Sequence, residues 1–157
     1  IVGSKLGDFS EQSGSYVKQI QDYLSKNPRF AKKVIFGGFI SSMPAVYNAT
    51  DILVSTSPHE SFGLAMAEGA ACALPIVATA GEMIVKNGQN GFLVQPQNPQ
   101  ALAEKILLLA KNPKLRKQLG KSGRKHIARH FQLQPYVTRV ENVYLSLLKS
   151  KLKSKRS

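Results

Sequence analysis

The chain has 157 residues, a formal net charge of +13 and a single cysteine. That length fits one domain with a sizeable core. One thiol, Cys72, excludes an internal disulfide and reads as a small core residue; no apolar run nears the ~20 residues that span a bilayer, and no signal peptide is visible.

In chain order, short apolar runs alternate with helical stretches, the pattern of a parallel sheet wrapped by helices. Ile1-Val2-Gly3 reads as a strand entered in its middle, which predicts a fragment of a longer protein. Residues 10–25 predict a polar helix with Tyr16, Val17, Ile20 and Leu24 on one face. Val34–Gly38 reads as the second strand, followed by a short helix around Met43–Asn48 and a strand at Ile52–Ser55. A helix of small residues opens at Ser61-Phe62-Gly63 and precedes a strand at Ile76–Ala78. Gly88 and Gly91 bracket a turn into Phe92-Leu93-Val94. Asn98 as N-cap and Pro99 at the first helical position start a helix over 100–111. Asn112-Pro113 ends it and begins another. The last helix, 135–151, carries Val137, Val140, Tyr144, Leu147 and Leu148 on one stripe. The expectation is a single domain over 1–157, with 131–157 as its C-terminal helix and basic tail.

Ligands of such sheets bind beyond the carboxyl ends of the strands. Three loops should therefore surround one crevice: Ser4–Ser10, Phe39–Ser42 and Ser57–Phe62. The last of these opens the run Ser57-Pro-His-Glu-Ser-Phe-Gly-Leu-Ala-Met-Ala-Glu-Gly-Ala-Ala-Cys-Ala-Leu-Pro75. Glu60 and Glu68 stand eight positions apart. At ~1.5 Å per helical residue that separation is roughly 12 Å, the reach from a sugar across a diphosphate to a ribose. Glu60 is expected just before the helix and Glu68 two turns inside it. Between them the free N–H groups of the first turn form an anion site. Ala65, Ala67, Gly69, Ala70 and Ala71 keep that helix thin. Singly, each glutamate also reads as a solvated or dipole-stabilising helix residue; the spacing with Phe62-Gly63 favours the functional reading.

This run resembles the Glu-x7-Glu motif of retaining glycosyltransferases of the GT-B fold, group 1, family 4 type. Gly69 replaces the usual Ala and Ala73 the usual Gly. The resemblance continues through Pro75–Thr79, Asn87–Val94 and Asn112–Arg116, and covers nearly the whole chain. It implies an α/β, Rossmann-like domain, the donor-binding C-terminal half of a two-domain enzyme, whose first strand lies before Ile1 and whose absence leaves an open sheet edge. It implies that the backbone at Ser61, Phe62, Gly63 and Leu64 holds the phosphates of a nucleotide-diphosphate sugar. By the same resemblance Glu60 is the catalytic candidate, on the donor-sugar hydroxyls, while Glu68 holds the ribose and the backbone of Ile40 reads the base. No cofactor is implied beyond that donor substrate.

Departures also count. The family's phosphate-binding Arg and Lys, and its acceptor domain, precede Ile1. After Thr79 the chain runs through Ala80-Gly81 straight to Glu82, where relatives carry a longer loop; a trimmed acceptor-side loop and missing residues both fit. No Asp-x-Asp occurs to support a carboxylate-bound metal, and Gly3, Gly7 and Gly14 form no phosphate-loop lysine motif. His59 reads as peripheral. His126 and His130, four apart, read as an exposed polar face rather than a metal pair. Asn48-Ala-Thr50 has the form of a glycosylation sequon but is discounted for a chain expected in the cytoplasm.

The charge is lopsided: residues 111–157 hold 14 Lys/Arg and one acid, Glu141, while residues 1–110 are balanced at eight of each sign. No aromatic-basic interleaving supports nucleic acid. The tail Lys149–Arg156 suits an anionic membrane surface, at about 1 kcal/mol per basic residue, and equally suits a solvated tail on a helix packing onto the N-terminal domain. The expected function is transfer of a sugar from a nucleotide-diphosphate sugar to an acceptor, with this chain alone inactive. The alternative is a non-catalytic glycosyltransferase-like subunit working with a partner.

Overall fold

The computed structural model describes the backbone of residues 11–154 and the side chains of 18–149 and 151. The strand expected at Ile1–Gly3, the loop Ser4–Ser10, and the side chains of Tyr16 and Val17 lie outside the described residues. The chain divides into two units, Ile1–Met43 and Pro44–Ser157.

In the first unit, α1 (Glu11–Lys26) is followed at once by α2 (Pro28–Ala31). Asn27 makes the break: its side-chain amide donates to the Tyr23 carbonyl at 2.8 Å, and Pro28 starts the new helix. The Tyr23 and Phe30 rings stack across the turn, with centroids 6.5 Å apart. Ile20 and Leu24 are half-buried on the face the periodicity predicts. Of the strand expected at Val34–Gly38, the described residues show irregular backbone at 34–37 and a single β-bridge position at Gly38. A β-branched, apolar run becomes a strand only beside a neighbour that accepts its hydrogen bonds, and the neighbour expected for it, the strand at Ile1–Gly3, lies outside the described residues.

The second unit is built on three parallel strands, β1 (Leu53–Ser55), β2 (Ile76–Ala78) and β3 (Gly91–Leu93), in the order β1-β2-β3. Leu53 pairs with Ile76 and Ile76 with Gly91, and the register continues to Ser55, Ala78 and Leu93. Further bonds from the Thr79 N–H to the Ser55 carbonyl (3.1 Å) and from the Val94 N–H to the Ala78 carbonyl (2.9 Å) extend the ladder at the carboxyl end. Helix α3 (Met43–Asn48) leads toward β1, and α4 (Leu64–Ala71) crosses between β1 and β2. Helices α5 (Pro99–Lys111), α6 (Pro113–His130) and α7 (Leu133–Ser154) follow β3. Asn98 and Asn112 cap α5 and α6 as expected, each Oδ1 accepting the N–H three residues on at 3.0 Å. Arg116 donates to the Leu109 and Ala110 carbonyls at the end of α5, at 2.7 and 3.0 Å, where cations suit the helix dipole.

β2 is central and wholly buried. Ile76 and Ala78 join Met66, Ala70, Ile84 and Val85 in one core cluster, while Val77 joins Leu109 and Leu119 in a second. The strand's alternating side chains thus feed a core on each face of the sheet. Small residues let α4 settle: a Cβ on Gly69 would meet Leu53 Cδ2 at 2.7 Å, and one on Gly120 of α6 would strike the Ala73 carbonyl oxygen. α7 begins two residues earlier than expected because Pro135 sits in the first turn, whose N–H groups have no helical acceptor. Of its predicted stripe, Val137 and Val140 are half-buried, whereas Tyr144, Leu147 and Leu148 are exposed.

Candidate active site

Residues leaving the carboxyl ends of β1, β2 and β3 enclose a crevice of about 680 Å³. The segment after β1 contributes His59, Glu60 and Ser61, the segment after β2 contributes Thr79 and Glu82, and Leu93-Val94 come from the end of β3. Its position is the one the sheet topology dictates. Thr79 ties two of these segments together, its hydroxyl donating to the Ser57 carbonyl at 2.8 Å. The short connection after Thr79 is closed by Gly81, buried at φ +111; a Cβ there would strike the Met66 methyl.

The segment between Glu60 and α4 is held from behind by Phe62. Its ring packs edge-on against Phe131, with centroids 5.5 Å apart, and joins the first core cluster. Gly63 then caps the helix in the left-handed region, φ +88. A Cβ at Gly63 would lie 2.6 Å from Met66 Cε and 3.2 Å from Glu60 Cγ, so only glycine lets Glu60 fold in beside the helix start. The first bonded helical amide is that of Ala67, donating to the Gly63 carbonyl at 2.8 Å. Leu64, Ala65 and Met66 therefore keep the free N–H groups of a helix N-terminus, directly after the crevice residues.

The expected geometry needs one correction. α4 begins at Leu64, so residues 60–63 are not helical, and Glu68 is its fifth residue. Glu68 lies little more than one turn inside the helix, not two, and the helical rise applies only from Leu64 onward. Glu60 and Ser61 line the crevice; Glu68 does not, but stands exposed on α4. Leu64 is exposed as well. Ile40 belongs to the first unit, half-buried in irregular backbone with the rest of the expected loop Phe39–Ser42.

Sequence reasoning missed a partner of Glu68. The hydroxyl of Tyr47, on α3, donates to Glu68 Oε2 at 2.8 Å, and Tyr47 is only 4% exposed. Burial, then the hydrogen bond and charge of Glu68, push the phenol up to about 12. A buried tyrosine hydroxyl demands a partner, but nothing local in the sequence points to a residue 21 positions away. Among the described residues no cluster of three His, Cys, Asp or Glu is placed to hold a metal ion. His126 and His130 do meet, with ring centroids 4.8 Å apart, and a His126 ring nitrogen lies 3.2 Å from the Met83 carbonyl. Nor is any helix among the described residues long and apolar enough to cross a membrane.

Comparison with known proteins agrees with this architecture. The profile of the family "Glycosyl transferases group 1" matches residues 1–126. Glycosyltransferase MJ1178 of Methanocaldococcus jannaschii is 33% identical over 138 residues, 85% of this chain and 39% of that protein. The sucrose-phosphate synthase structure from Thermosynechococcus elongatus superposes with a TM-score of 0.82 at 26% identity, over 95% of this chain and 38% of that one. HepE of Anabaena, solved in complex with UDP, superposes with a TM-score of 0.80 at 25% identity, over 87% and 38%. The chain spans about two-fifths of the length of these relatives. A parallel sheet flanked by helices, a crevice at its carboxyl end and a family profile over most of the sequence agree: this chain belongs to the group 1 glycosyl transferases, and its fold is the Rossmann-like C-terminal domain of the GT-B architecture.

Proposed function

We propose that this chain is the donor-binding domain of a retaining glycosyltransferase that moves a sugar from a nucleotide-diphosphate sugar to an acceptor. The observation that carries the reading is the position of Glu60 and Ser61 in the crevice, immediately before the glycine-capped start of α4. In the proposed mechanism the diphosphate leaves against the backbone N–H groups around Ser61–Leu64, where fixed dipoles stabilise the developing charge without reorganising. Glu60 accepts hydrogen bonds from hydroxyls of the donor sugar and holds it in line. Glu68 accepts from the ribose, and the backbone at Ile40 reads the base. HepE, a relative in fold, was solved with UDP and with UDP-glucose, which favours a uridine donor.

The described crevice wall includes two carboxylates, Glu60 and Glu82, and no Lys or Arg. Two phosphates need cationic neutralisation, so the charge must come from elsewhere in the enzyme. On this reading the isolated chain binds donor weakly and turns nothing over. The test is Glu60→Ala in the full-length enzyme. A loss of at least about 100-fold in kcat, with unchanged melting, supports the role; near-normal turnover refutes it and favours a non-catalytic subunit. Robust turnover by the isolated chain would separately refute the division of labour. The basic segment 149–157 is proposed to keep the cytoplasmic enzyme on anionic membranes. Vesicle sedimentation that is unchanged by its deletion removes that idea.

A further inference from the structure

Glu68 is exposed, yet one of its two oxygens is already engaged by a hydroxyl from the interior. Tyr47 reaches it from α3, a helix joined to α4 in sequence only through β1 and the crevice segment. Thr50, whose hydroxyl donates to the Val46 carbonyl at 2.7 Å, closes the last turn of α3 behind the tyrosine. The phenol is anchored by burial, the carboxylate is not; the bond therefore fixes the carboxylate and not the reverse. An exposed glutamate otherwise samples several rotamers, and ordering it on ligand binding costs free energy.

We propose that Tyr47 is a positioning residue that pre-orients Glu68 so that its remaining lone pairs face the two vicinal hydroxyls of a ribose, making this domain selective for ribonucleoside over 2′-deoxyribonucleoside diphosphate donors. The inference rests on the assignment of Glu68 to the ribose. The chemistry is one-directional. A carboxylate only accepts hydrogen bonds, so with Oε2 taking the tyrosine proton, Oε1 serves a hydroxyl donor and has nothing to offer a C–H. A deoxy sugar then forfeits that bond while still desolvating the carboxylate, and sites built to bond a hydroxyl reject analogues that lack it. The phenol, held above the ordinary tyrosine range, remains a donor throughout neutral pH.

The experiment is a calorimetric titration of the full-length enzyme with UDP and with 2′-deoxy-UDP, for the wild type, Tyr47→Phe, Glu68→Ala and the double variant. The wild type is expected to prefer UDP at least tenfold. Tyr47→Phe should weaken UDP about three- to tenfold and leave 2′-deoxy-UDP nearly unchanged. Glu68→Ala should abolish the preference, and adding Tyr47→Phe to it should cost nothing more, because the two residues act as one unit. A generic structural role would instead weaken both nucleotides together. Unaltered discrimination in Tyr47→Phe, with discrimination lost in Glu68→Ala, overturns the role of Tyr47 and leaves the donor assignment standing. Unaltered UDP binding in Glu68→Ala overturns both. Additive losses in the double variant show Tyr47 acting independently of Glu68 and likewise overturn the proposal.

Discussion

Asn90 offers the sharpest test of how the crevice wall is built. Its side chain is buried in the described core, 2% exposed, and its amide is engaged through both its oxygen and its nitrogen. Oδ1 accepts the Lys86 N–H at 2.7 Å, and Nδ2 donates to the Ile84 carbonyl at 2.9 Å. Both partners belong to the segment that carries Glu82 into the crevice, and Ile84 is itself fully buried. Asn90→Ala strands one acceptor and one donor. The Ile84 carbonyl, deep in the fold, should cost about 1–3 kcal/mol and the Lys86 amide, nearer to water, about 1. The sum is about 2–4 kcal/mol, or a melting point lowered by about 4–15 °C in a protein of this size. Urea denaturation followed by circular dichroism should show a lower midpoint at unchanged slope. Asn90→Asp sharpens the argument, since it keeps the acceptor but turns a second acceptor toward the Ile84 carbonyl. It should be as damaging as alanine at neutral pH and recover in part on acidification, when a protonated carboxyl can donate. A loss under about 0.5 kcal/mol for Asn90→Ala would refute the reasoning, because a stranded buried carbonyl cannot be that cheap.

Other expectations are independent of that one. Ala73 sits at φ +61 after α4, where the Leu74 and Ala73 N–H groups close the helix on the Gly69 and Ala70 carbonyls at 3.0 and 2.9 Å. This is a left-handed helix stop built without glycine; Ala73→Gly should stabilise the domain by about 0.5–1 kcal/mol in the same denaturation assay, and destabilisation would refute it. Gly63→Ala should cost at least about 1–2 kcal/mol from its positive φ alone and, by crowding Glu60, lower kcat in the full-length enzyme more than it raises KM. The raised phenol of Tyr47 gives a pH signature. Its folded value near 12 exceeds the ordinary value of 10, so its contribution is whole below about pH 10 and disappears as pH climbs toward 12. Alkaline titration of stability should therefore fall less steeply in Tyr47→Phe than in the wild type.

Much of this was legible in the sequence, and the reasons differ by element. β2 and α3 fall within the residues expected of them, because Ile76-Val77-Ala78 is an apolar run between punctuating residues and Met43–Asn48 is bounded by turn formers. The starts of α5 and α6 were written in the Asn-Pro pairs, since capping is a local interaction. The start of α4 was misread because Ser61 and Phe62 have helical neighbours on one side only. The left-handed Gly63 delays the helix, and that conformation is not spelled by residue type alone. Val34–Gly38 has strand composition, but a strand is a relation between segments and composition carries only half of it. Glu60 and Ser61 reached the crevice because topology and motif agree there. The Tyr47–Glu68 bond was invisible for the opposite reason: two helices distant in sequence meet only after the sheet has formed.

β2 has a further consequence. Its three residues are divided between two clusters, Ile76 and Ala78 on one face and Val77 on the other, and all three are wholly buried. Neither cluster can come apart while β2 keeps its ladders, and neither can survive once those ladders go. The two cores consequently share a single melting event, so near-UV circular dichroism, which reports side-chain packing, and far-UV helicity should trace superimposable transitions. A strand of three residues thereby acts as the rivet that makes a domain with two cores cooperative.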